Sequence, residues 1–172
     1  MDEKRLKIAK RNFNNYLKKG LIKKENFQDI VYQTYLKNAA ESLSVANEIY
    51  KNKLSSLWVV VSSYYAMFYI ASAYVYKKGY KTRHKIVHQI INEALIVFST
   101  NDLEKHFFKE YEEEREKALA ASENLLKDYE SEKTKRARFQ YETTEAIKEA
   151  QAKTSLERAK NFVGVMRQLL KE

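Results

Sequence analysis

Proline is absent from this chain, and glycine occurs only as Gly20, Gly79 and Gly164 among 172 residues. Few tight turns or interruptions of regular structure can be encoded by such a chain, so the backbone is left to run in long helices. The length fits one domain over residues 1–172, large enough to bury a core without a disulfide or a structural metal. Cysteine is also absent, which excludes disulfides and thiolate chemistry and fits a cytoplasmic protein. The opening "MDEKRLKIAK" carries charge where an export signal needs an apolar core, so no such signal is expected.

Apolar residues recur at steps of three and four, which predicts an all-α antiparallel bundle of about five to six helices. A short helix is expected over residues 3–18, with Leu6, Phe13, Tyr16 and Leu17 on one side and Gly20 near its end. A second, from Phe27 to Lys51, winds Tyr32, Tyr35, Leu36, Ala39, Leu43 and Ala46 into one stripe. A third, from Leu54 to Lys78, is apolar around most of its circumference and is expected to be central, with Gly79 as its stop. The fourth is expected from Thr82 to Phe98 with Ile86, Val87, Ile90 and Ile91 inward, and "STND", Ser99 to Asp102, should divide it from the fifth. The fifth spans Leu103 to Tyr129, with Leu119 on its apolar side and the acidic run "EEERE", Glu112 to Glu116, facing solvent. After a polar break at Ser131 to Thr134 a last helix continues to Leu170.

The third helix contains twenty residues without a charge, Leu57 to Tyr76, enough to span a bilayer. Ser62, Ser63, Ser72 and the hydroxyls of Tyr64, Tyr65 and Tyr69 would lack partners in hydrocarbon, so a buried core helix is the expectation and no membrane is assigned. Trp58 is expected as a core anchor, and Tyr64 and Tyr65 as packing residues with one hydroxyl contact.

A net charge of +9 makes a polyanion a natural partner. Residues 1–25 hold nine Lys or Arg against three acids, read here as the solvated surface of a leading helix. Two other clusters lack any acid: "KKGYKTRHK", residues 77–85, with five cations, and "KTKRAR", residues 133–138, with four. Helix counting lets these two share one end of the bundle, where they would focus a field attractive to phosphate. His84 and His88 are four apart, a spacing that could hold zinc. Only His106 remains as a third imidazole, in another helix, so neither a metal site nor a cofactor is assigned.

"SSYYAMFYIASAYVYKKGYKTRHKIV", Ser62 to Val87, resembles the core hairpin of HEPN domain proteins, and "RARFQYETTEAIKEAQAKTSLERAKNFV", Arg136 to Val163, is similar to that family's closing element. The resemblance covers about residues 28–165 and leaves residues 1–20 as an extra N-terminal helix. It implies a helical bundle, a homodimer, a nucleotidyltransferase partner, and for some members metal-independent RNA cleavage in toxin systems. The catalytic signature it implies is an arginine followed by four to six residues and a histidine. Self-cleavage of RNA needs a base near neutral pH and a cation on the phosphate, which histidine and arginine supply. Arg83 and His88 match that spacing but begin an earlier helix. At the expected place "RARFQY" keeps Arg136 and puts Tyr141 where the histidine belongs, and a phenol titrating near 10 is a poor base at pH 7.

Several readings stay open. The basic helix ends, with Lys81, Arg83, Lys85, Arg136, Arg138 and Tyr141, would bind nucleotide or RNA phosphate in an accessory module of a toxin–antitoxin-like or defence system. Alternatively the chain is a ribonuclease, its catalytic residues drawn from Arg83, His84 and His88, or from His84 beside Arg136 or Arg138. A third reading is a structural homodimer built on the tyrosine-rich face. Arg136, Arg138 and Tyr141 could also cap a helix junction, and the resemblance implies Tyr141 as a site for nucleotide attachment by the partner.

Overall fold

The computed structural model describes residues 3–83, 86–98, 106–121 and 145–171, without the side chains of residues 145–147. Helices α1 (Glu3–Lys18), α2 (Asp29–Lys51), α3 (Ser56–Lys77), α4 (Val87–Phe98), α5 (106–121) and α6 (Glu145–Leu169) account for most of them. The all-α bundle expected from the periodicity is therefore the fold. Its helix ends follow local chemistry. At Gly20, φ +66°, the Leu21 N–H reaches back to the Tyr16 carbonyl at 2.9 Å and the Gly20 N–H to Leu17 at 3.1 Å, the paired bonds that close a helix through a left-handed residue. Gly79, φ +87°, ends α3 by the same conformational freedom. Ser55 caps the start of α3, its hydroxyl accepting from the Trp58 N–H at 3.3 Å.

The third helix is central, as its composition requires. It packs most extensively against α2 and α6 and more lightly against α4. Met67, Ile70, Ala71 and Ala73 are fully buried, and Ala66 and Ala73 let neighbouring backbones approach. The helix is long and apolar enough to cross a membrane, with 67% of its most apolar stretch buried inside the bundle. The main core joins Phe13 of α1, Ala39 of α2, Met67 of α3, Ile91 of α4, Phe108 and Tyr111 of α5 and Phe162 of α6.

Several expectations are corrected. The periodicity placed no strand, yet β1 (Ile22–Lys24) and β2 (Tyr80–Thr82) form an antiparallel ribbon with Lys23 opposite Lys81. The fourth helix consequently begins at Val87 instead of Thr82, and Ile86, expected inward, is 48% exposed in a left-handed conformation, φ +62°. Trp58, expected as a core anchor, is 50% exposed, because α3 leaves one stripe uncovered. Leu119 likewise faces out. The acidic run does not simply face solvent: Glu114 is fully buried, held by Arg158 at 3.0 Å and Lys117 at 2.7 Å, and Glu112 pairs with Arg5 at 2.9 Å. Burial of these carboxylates is tolerated because cations from distant helices meet them.

Candidate phosphate-binding ribbon and the histidine pocket

Alternation along β1 sends Ile22 into the core and Lys23 outward. On β2, Tyr80 turns inward against the rings of Phe13 (5.4 Å) and Phe98 (5.5 Å), so Lys81 turns outward. Lys23 and Lys81 are a direct cross-strand pair, and two further backbone bonds extend the ladder: the Glu25 N–H to Gly79 at 3.0 Å and the Arg83 N–H to Leu21 at 3.2 Å. Lys23, Glu25, Lys81 and Arg83 therefore share one outer face. The Arg83 guanidinium donates to Glu25 at 2.9 Å. That bond, with the nearby charges of Arg83, Lys81 and Lys23, holds the Glu25 carboxyl below its ordinary range. Like charges placed directly across a ribbon repel, and among the described residues one carboxylate faces three cations there. The face is left with a net positive field.

Of the residues singled out in the sequence, Lys81 and Arg83 are thus brought together, and the N-terminal cations, read as solvated surface, contribute Lys23 to the same face. His84, Lys85, Arg136, Arg138 and Tyr141 lie outside the described residues, as does the second basic cluster and with it the question of a shared end. Arg83 and His88, five apart in the sequence, have different partners: Arg83 is on Glu25, whereas His88 shares a 2.8 Å hydrogen bond with the Tyr64 hydroxyl. No hydrogen bond or ion pair joins the two among the described residues.

The His88 ring lies against Phe68 at 4.2 Å, with Tyr64 at 5.5 Å and Tyr65 at 5.8 Å. Burial lowers its pKa, and the positive charge of Arg115 adds to the effect, so the imidazole is held neutral. Burial likewise raises the Tyr64 phenol well above its ordinary value, keeping it a protonated donor or acceptor. The bond between Tyr64 and His88 is a hydroxyl contact of the kind expected of the tyrosine pair, while Tyr65 stays 38% exposed. His106 pairs at long range with Glu110, 3.8 Å, on its own helix. Among the described residues no group of His, Asp or Glu is arranged to hold a metal. A shallow cleft lined by Ile49, Lys53, Leu54, Val59 and Glu149 lies at the opposite end of α3 from the ribbon.

Sequence reasoning missed Lys23 and Glu25, because their importance comes from pairing with a segment about sixty residues away. The available signal was the apolar pair Leu21–Ile22 just after Gly20 and Tyr80 just after Gly79: two short apolar steps, each following a helix-stopping glycine.

The structure is thus an α-helical bundle carrying a cation-rich two-stranded ribbon. The HEPN domain family model matches residues 32–169, and this chain belongs to that family. Membership points to work on nucleotides or RNA. Neither the curated proteins nor the solved structures yield a significant match. The family match begins after β1, so Lys23, Glu25 and the loop that follows lie outside the matched residues.

Proposed function

We propose that this chain is an accessory HEPN module that binds nucleotide or RNA phosphate through the outer face of the β1–β2 ribbon. The observation that carries the reading is the cross-strand pair Lys23–Lys81, with Arg83 beside it and, among the described residues, Glu25 alone to offset them. Such a pair is destabilising by itself and becomes favourable when a phosphate sits between the two ammonium groups. Arg83 is already extended across the face by Glu25, so little side-chain entropy remains to be lost when an anion replaces the carboxylate. Cooperation with a nucleotidyltransferase partner in a toxin–antitoxin-like or defence system belongs to the same proposal and is supported by family membership alone. Self-association as a homodimer is supported by family membership and by the exposed Trp58 and Tyr65 on α3.

The test is binding of a short fluorescein-labelled RNA at low salt, followed by anisotropy, for the natural chain and for Lys23→Glu/Lys81→Glu. The proposal expects the double variant to lose most of the affinity while keeping its helical circular dichroism. Equal affinity of the two proteins, or no binding by either, would overturn it.

A further inference from the structure

Beside the basic face stands a phenylalanine held out of the core. Phe27 is 56% exposed, in the loop between β1 and α2. Tyr76, itself 1% exposed, fixes that loop from both sides: its hydroxyl donates to the Asn26 carbonyl at 3.2 Å and accepts from the Gln28 N–H at 3.0 Å. The backbone is thus pinned on either side of Phe27. The Phe27 ring rests on Tyr76 at 5.7 Å between centroids and on Tyr32 at 5.5 Å. The Lys81 ammonium lies 6.0 Å from the same Tyr76 ring, so the exposed aromatic and the ribbon cation are neighbours on one support.

The contact with Tyr32 has an ordinary explanation. Gln28 is the N-cap of α2, which makes Phe27 and Tyr32 the pair that staples a helix start. A staple accounts for an apolar residue at this position. It does not require an aromatic ring, nor does it account for one left more than half open beside Lys81.

We infer that Phe27 is a base-stacking platform, and that the ligand of the ribbon is single-stranded RNA, with an unpaired base on Phe27 and the adjoining phosphates on Lys23, Lys81 and Arg83. This rests on the phosphate-binding reading above and narrows it. Single strands are gripped by pairing a cationic track with exposed rings, since any unpaired base offers a π face and duplex bases do not. Phe27 lies N-terminal to the family match.

The experiment compares a short labelled single strand with the duplex of the same sequence, against the natural chain, Phe27→Leu and Phe27→Trp. Leucine keeps the staple and loses the ring; tryptophan keeps a larger ring. The expected result is preference for the single strand, a loss of about 5- to 100-fold with Phe27→Leu as one stacked base is removed, and full or improved binding with Phe27→Trp. Weak duplex binding should be the same for all three proteins. Single-strand affinity that Phe27→Leu leaves unchanged, or duplex bound as tightly as single strand, overturns the stacking role while leaving the ribbon intact. Failure of the natural chain to bind either RNA overturns both.

Discussion

Replacing Arg5 by methionine keeps an apolar stem of similar reach and removes the fork that ties α1 to the bundle. That fork donates to Glu93 at 2.8 and 3.2 Å and to Glu112 at 2.9 Å. The Glu93 side chain is only 6% exposed and Asn12 reaches it at a marginal 3.5 Å, so in Arg5→Met a nearly buried carboxylate is left without its cation. Breaking a buried pair in this way costs about 3–5 kcal/mol. Arg5 is 26% exposed and Glu112, 29% exposed, keeps its bond from Asn92 at 3.0 Å, so water reaches part of the network. The expected loss is therefore about 2–3 kcal/mol after discounting for that access. For a chain of this size the melting temperature should fall by about 5–10 °C. Urea unfolding followed by circular dichroism measures the loss directly, with the slope checked for constancy. The double variant Arg5→Met/Glu93→Gln should regain about 1 kcal/mol or more over Arg5→Met, because the glutamine carries no charge to strand. A loss below about 1 kcal/mol, or a double variant no more stable than the single, would refute the view that a buried charge pair anchors α1. The anchoring matters for function, since α1 leads through Gly20 directly into β1.

Three further outcomes follow from the same geometry. Lys53 closes α2 with φ +50°, its N–H bonded to Tyr50 and the Leu54 N–H to Ile49; Lys53→Gly should raise stability by about 0.5–1 kcal/mol in urea unfolding, and a loss would contradict the cap assignment. Glu25→Gln removes the carboxylate that pairs with Arg83 on the ribbon face and should tighten RNA binding at low salt, with the gain vanishing at high salt; weaker binding would mean that Glu25 is needed to position Arg83. The native pKa of His88 is depressed, so its contribution to stability is complete above the unfolded value of about 6.5 and is lost as pH falls through the native value, where the unfolded chain binds the proton first. Urea midpoints measured above and below that range should fall less steeply on acidification for His88→Asn than for the natural chain, and parallel curves would sink the assignment.

Much of the scaffold was legible because it depends on local rules. Gly20 and Gly79 mark helix ends through a conformation other residues resist, and the charge-free run from Leu57 to Tyr76 could only be central. The ribbon was not legible, since strands of three residues carry no measurable period and their partners are separated by a whole helical hairpin. The same distance hid the burial of Glu114, whose partner Arg158 comes from α6, and it made the cations before Gly20 look like mere surface. Trp58 misled for a different reason: a ring of its size is usually buried, but helical period alone does not say which stripe of an all-apolar helix lacks a neighbour. Of the cations on the ribbon face, Lys81 and Arg83 were legible in an acid-free run of charge, whereas Lys23 needed the fold.

The salt dependence of single-stranded RNA binding tests the ribbon most directly. Each lysine that neutralises a phosphate contributes about 0.7 to the slope of log affinity against log salt for single strands. Lys23→Gln/Lys81→Gln should therefore bind less tightly with a slope shallower by about 1.4 than that of the natural chain. A double variant whose slope is unchanged would place the phosphates elsewhere on the molecule and contradict the account.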